Sequence, residues 1–172
     1  MAHDLLAHFR QCATYNRRAN ERLYEACARL SDGDRRRPLG SFFGSIHGTL
    51  NHIMVGDRIW MSRFAGETVP STGLDAILHD DFAALTEARV AEDRRIEDFF
   101  AGLDPAFLDR RITYINNQGL RFSDPVTVLV PHFFNHQTHH RGQVHAMITQ
   151  LDRSLAPVLD MHRVLIPSPT AS

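Results

Sequence analysis

Pro131-His132-Phe133-Phe134-Asn135-His136-Gln137-Thr138-His139-His140-Arg141-Gly142-Gln143-Val144-His145 carries five of the chain's 11 histidines, which raises the question of whether their imidazoles share one helix face. The periodicity around the stretch is helical. Val126, Leu129, Phe133, Val144, Met147 and Leu151 recur at steps of three, four, seven and eight, the pattern of an amphipathic helix. At about 100° per residue these six positions lie within an arc of roughly 60°. His140 falls near the middle of that arc and His136 about 40° from it. His132 sits at the edge beside Gln143, while His139 lies outside the stripe and His145 and Arg141 face away.

Two imidazoles four residues apart on a core-facing stripe are roughly 5–6 Å apart at Cβ, close enough to grip one cation. A single histidine on such a stripe is more often a core residue bonded to a carbonyl. Two of them, with Gln143 and His132 on the edge, point instead to metal ligation by His136 and His140. A third ligand must come from elsewhere in the chain.

Working outward, the N-terminal segment places Leu5, Phe9, Cys12, Asn16, Asn20, Leu23, Cys27 and Leu30 at three-four spacing, which predicts a helix over 5–30. Asn16 and Asn20 interrupt its apolar stripe. A buried amide needs partners or costs about 1–3 kcal/mol, so both are candidates for a hydrogen-bond network, with direct substrate contact as the alternative. Asp32 to Pro38 reads as a loop. A second helix is expected over 41–64, with Ser41 as N-cap. Phe42, Ile46, Leu50, Ile53, Trp60 and Phe64 form one face. His52, Val55 and Ile59 share a second arc with the small residues Ser45, Gly48 and Gly56, which leave room for a metal or ligand. His52 is therefore the expected third ligand, and His47 is placed on the polar side.

A third helix is expected over 75–101, with a solvated, charged middle at 86–95. Residues 110–122 change to strand-like alternation around Asn116-Asn117-Gln118-Gly119, a small hairpin. Ser123 then reads as the N-cap of the last long helix, with Pro125 in its first turn. Residues 156–165 read as a short helix or arm, and 167–172 as a flexible tail. The fold class is all-α: a four-helix bundle with a small β-hairpin before the last long helix, in a single domain over 1–166.

Composition removes several alternatives. All 19 basic residues are arginine, so Schiff-base chemistry and the phosphate-loop lysine are out. Two cysteines, Cys12 and Cys27, cannot build a disulfide framework or a four-thiolate zinc site; they read as reduced core thiols of a cytoplasmic protein. The net charge of −1 offers no field for nucleic acid or an anionic membrane. Residues 1–10 hold no apolar run of signal-peptide length, and no stretch approaches a membrane span. Glu-x-x-His, His-Glu-x-x-His, Gly-x-Ser-x-Gly and Gly-x-Gly-x-x-Gly are all absent.

Three neutral imidazoles around a divalent ion leave at least one open position, as in catalytic sites. His132 as a fourth ligand would close the site and make the ion structural. Imidazole ligands must be neutral, so metal affinity is expected to fall below about pH 6.5.

Three motifs carry a family resemblance: Tyr15-Asn16-Arg17-Arg18-Ala19-Asn20; Leu50-Asn51-His52-Ile53 followed by Asp57-Arg58-Ile59-Trp60; and Asn135-His136-Gln137-Thr138-His139-His140-Arg141-Gly142-Gln143. Together they resemble the DinB family of damage-inducible bacterial proteins, over about residues 5–165. The resemblance implies a DinB/YfiT-like four-helix bundle holding one divalent metal, commonly nickel or zinc, on His52, His136 and His140. It also implies a homodimer, a stress-response setting and kinship with metal-dependent enzymes that use a low-molecular-weight thiol. The expected function is thus a metal-dependent transferase or hydrolase, with Gln143, His132, Asn16 and Asn20 as residues supporting the ligands or contacting substrate. The alternative is a non-catalytic stress-inducible protein whose metal is structural.

Overall fold

The computed structural model describes residues 2–116 and 118–166. The expected tail at 167–172 and Asn117 of the hairpin turn lie outside the described residues. Four long helices carry the fold: α1 (Ala2–Ala28), α3 (Ile46–Ala65), α4 (Phe82–Ala101) and α5 (Val126–Leu151). Short helix α2 (Asp32–Arg36) lies in the connection from α1 to α3, and α6 (Met161–Leu165) follows α5 and packs on α1. Around the bundle, α1 packs on α4 and α5, and α3 packs on the same two. The order is therefore α1, α4, α3, α5 in a closed ring. No described helix is long and apolar enough to cross a membrane.

The hairpin pairs β1 (Arg111–Ile115) antiparallel with β2 (Arg121–Pro125), Tyr114 opposite Phe122. Ser123 belongs to β2 and caps nothing. Pro125 itself occupies the N-cap position of α5, two residues later than the sequence suggests, because strand pairing holds Ser123 and Asp124 extended.

Three other boundaries differ from expectation. Residues 32–36 form α2, capped by the Ser31 side chain, which accepts from the Asp34 N–H. Helix α3 starts at Ile46 with Ser45 as its N-cap, accepting from the Gly48 N–H. Ser41 instead bridges Gly44 in a tight turn, flanked by left-handed Gly40 (φ 75°) and Gly44 (φ 76°), a conformation that stops the helix from extending back. Phe42 is consequently 86% exposed rather than on the core face. Helix α4 starts at Phe82, seven residues late. The preceding segment is held off helix by α3: Asn51 Oδ1 accepts from the His79 N–H at 3.0 Å, and Asn51 Nδ2 donates to the His79 carbonyl at 3.3 Å. His47, expected on the polar side, is buried against Asn51, with 3.3 Å between their side-chain nitrogens.

The core has three tiers. Phe9, Met61, Phe64, Ile96, Phe100 and Phe133 fill one end, and Leu23, Cys27, Ile46, Leu50, Leu85, Val144 and Met147 the other. Between them runs a polar belt contributed by all four long helices: Asn16, Asn20, Asp57, Arg89, Asp93, Gln137 and Arg141, each buried. The charged middle of α4 is thus only partly solvated: Glu87 and Arg94 are exposed, while Arg89, Glu92 and Asp93 are buried, and inside the belt the guanidiniums of Arg89 and Arg141 balance the carboxylates of Asp57 and Asp93. Arg89 donates to Asp57 at 2.5 Å and lies 3.0 Å from Asp93. Asn16 and Asn20 donate to Asp93 at 3.1 and 2.9 Å, and Arg141 donates to Asn16. Buried charge persists only when paired and hydrogen-bonded in this way.

Candidate metal centre

On the outer side of the α3–α5 contact, three imidazoles meet. His52 Nε2 lies 3.0 Å from His136 Nε2 and 3.2 Å from His140 Nε2. One ring nitrogen from each lies within 4.8 Å of the other two, and among the described residues no other His, Cys, Asp or Glu joins them. The four-residue spacing on α5 supplies two rings, and α3 supplies the third from the facing helix.

The position of the His136 ring depends on Gly56. A Cβ built there would stand 2.8 Å from His136 Cε1, inside any tolerable contact. Glycine mid-helix costs about 1 kcal/mol against alanine, and here it makes room for a ring.

The tautomers follow from the outer partners. His52 Nδ1 lies 2.7 Å from the Leu74 carbonyl, which can only accept, so this nitrogen carries the proton. His140 Nδ1 donates to Gln143 Oε1 at 2.8 Å. A neutral imidazole has one N–H, so the Nε2 lone pairs of His52 and His140 face each other with no proton between them. Two lone pairs at 3.2 Å repel unless a cation lies between them. The donor set therefore fits a divalent transition ion, and the outer hydrogen bonds are of the kind that orient such ligands. Phe43 stacks on His52 with ring centroids 3.6 Å apart and meets His140 edge-on at 5.6 Å.

Burial keeps the rings neutral. It is the first cause of lowering His52 to about 4 and His136 to about 3, the latter helped by the neighbouring imidazoles. His140 is lowered by burial too, opposed by its bond to Gln143. All three are in the form that ligates at neutral pH.

His132 stands apart. Its ring packs edge-on against Trp60 at 5.2 Å, and its centroid is 6.3 Å from that of His136. Asn16 and Asn20 are in the polar belt, bonded to Asp93 and Arg141, and do not line the space beside the triad. That space is a cleft of about 840 Å³. His52, Gly56 and His136 form one end, and Arg63, Tyr114 and Asn116 the other; residues 69–75 wall one side. Sequence reasoning missed Phe43, assigned there to a helix, and the Leu74 carbonyl, which carries no side-chain signal. It also missed the Asp57–Gln137 bond of 2.7 Å directly behind the ligating faces of α3 and α5.

A helical bundle with three imidazoles converging between two adjacent helices defines a class: proteins able to hold a metal through histidine alone. The comparisons with known proteins then place the chain. The model of the DinB family matches residues 1–158, and the chain belongs to that family. It is 30% identical over 157 residues to Protein DinB of Bacillus subtilis (strain 168), covering 83% of this chain and 86% of that protein. The comparison with solved structures gives no match.

Proposed function

We propose that the chain is a divalent-metal-dependent enzyme of the thiol-dependent transferase or hydrolase type, with nickel or zinc held by His52, His136 and His140. A bound ion of this kind supplies a Lewis acid that lowers the pKa of water or a thiol. The chain's own residues do the rest. Leu74 and Gln143 hold the ring protons of His52 and His140 on the outer nitrogens, Phe43 keeps solvent off one face of His52, and Gly56 leaves room for the His136 ring. The observation that carries the reading is the cleft of about 840 Å³ lined by two of the three rings, His52 and His136. Its size suits a small-molecule ligand, and a purely structural site would be closed by a fourth protein ligand. The distance of His132 from the cluster speaks against that closure.

The test is turnover by metal-loaded protein against paired panels: thiols with an electrophile, and activated esters without thiol. Stoichiometric metal with turnover in neither panel overturns the enzymatic reading. Loss of both metal and turnover in His140→Ala supports it. The homodimer that the family resemblance implies belongs to the same reading, and sedimentation equilibrium of the purified chain tests it.

A further inference from the structure

The far end of the cleft holds a guanidinium in an unusual setting. Arg63, on the last turn of α3, sits in a corner between two aromatic rings: its Cζ lies 4.6 Å from the Trp60 ring centroid and 4.5 Å from that of Tyr114, and the two rings meet edge-on with centroids 5.5 Å apart. The two rings hold the guanidinium in place from adjacent sides. Its Nη2 donates to the Ile115 carbonyl at 3.2 Å. Among the described residues no carboxylate lies within salt-bridge distance of Arg63. The contrast with Arg17, Arg36, Arg89 and Arg95, each paired with an acid, is direct. Its Nε is buried without a partner, and burial lowers its pKa. Contact with aromatic rings holds a guanidinium for recognition of planar anions and limits the entropy lost on binding.

The acid that lines the same cleft, Asp75, is at the opposite end. It follows Leu74, whose carbonyl touches His52. The cleft is therefore polarised, with a fixed cationic edge far from the triad and an acidic side chain close to it. Eleven residues of α3 separate His52 from Arg63, roughly 16 Å of helix rise. The wall between is apolar and aromatic, formed by Ile59 and Trp60.

We propose that Arg63 is the anion anchor of this cleft. The small molecule that the site acts on is elongated, with a carboxylate that docks on the Arg63 guanidinium and a reactive end that reaches the triad. The inference rests on the reading of the triad as a reactive metal site, but it makes a separate claim about charge and length.

Trp60 is the chain's single tryptophan and touches Arg63, so its fluorescence reports occupancy of the anchor with or without metal. The probes are ω-mercaptoalkanoic acids of graded length and the matching ω-mercaptoalcohols, titrated into metal-loaded and into EDTA-treated protein. In the loaded protein the acid should bind about tenfold more tightly than the alcohol, the scale of a charge-assisted hydrogen bond. The preference should appear only at chain lengths that span the cleft. Arg63→Gln should abolish it while leaving metal content, by elemental analysis, and alcohol affinity unchanged; Arg63→Lys should keep part of it. Absence of an acid preference at every length in the wild type, or its survival in Arg63→Gln, overturns the proposal. Failure of the metal reading has a different signature. The wild type then holds no stoichiometric metal, yet the EDTA-treated protein still prefers acid to alcohol through Arg63.

Discussion

A Cβ added to Gly56 would fall 2.8 Å from Cε1 of His136, so the place of the His136 ring at the metal centre depends on a missing side chain. Gly56→Ala must displace the ring or part the helices. Overpacking of this kind costs about 1–3 kcal/mol, offset in part by the roughly 1 kcal/mol of helix propensity gained. The fold should survive with a small change in melting temperature. Metal affinity, measured by competition with a chromophoric chelator, should fall by about tenfold or more, as expected when a ligand loses its orientation. Unchanged affinity would mean that His136 is not a ligand.

His140 and Gln143 separate direct ligation from orientation. His140→Ala removes a donor atom and should abolish stoichiometric metal by elemental analysis. Gln143→Leu removes only the acceptor of the His140 Nδ1 proton, 2.8 Å away. It should keep the metal but weaken it by about 10–100-fold, the usual penalty for an outer hydrogen bond. Full metal in purified His140→Ala would refute the ligand set.

The bundle was legible in the sequence because three-four spacing over 5–30 and 126–151 is long and uninterrupted, and the hairpin because Asn and Gly punctuate a change of period. The convergence of His52 with His136 and His140 was legible too, since all three share faces with apolar or small residues. The belt was legible only in part: Asn16 and Asn20 read as a hydrogen-bond network, as their bonds to Asp93 and Arg141 bear out. Arg89 and Asp93 read as a solvated face on one helix, and only partners on the other three helices make their burial tolerable. The starts of α3 and α4 were hidden for the same reason: tertiary hydrogen bonds from Asn51 and a glycine turn overrode local apolar periodicity.

The pH dependence moves with burial. An exposed imidazole titrates near 6.5, and the sequence alone suggests metal loss below that value. In the folded chain His52 and His136 titrate at about 4 and about 3, so protons compete for these ligands only below that range. Metal should remain bound at pH 5.5 and be released as pH falls through about 4. The metal-free protein should respond to the same groups through its stability, and at higher pH. Between pH 6.5 and about 4 the unfolded chain binds protons that the folded one refuses, so stability falls as pH drops across it and is fully regained above 6.5. Urea midpoints of EDTA-treated protein across this range check the sign; a flat profile would refute neutral burial of the triad.

Arg89 and Asp57 join α4 to α3 immediately behind the triad, 2.5 Å apart at 2% and 0% side-chain exposure. Arg89→Ala would leave the two buried carboxylates of Asp57 and Asp93 with a single buried guanidinium, Arg141, to balance them. Breaking one side of a buried pair costs about 3–5 kcal/mol, a large share of the stability of an ordinary domain, and urea denaturation of the metal-free variant should show a loss of that size. Arg89→Lys keeps the charge but not the two-pronged reach to both acids, and should fall between. Because the belt lies outside the triad, each variant that folds should still take up metal, and saturating metal should restore part of the lost midpoint by binding the native state alone. If Arg89→Ala instead matched the wild type in urea, the belt would not be what ties the four helices together at the level of the metal centre.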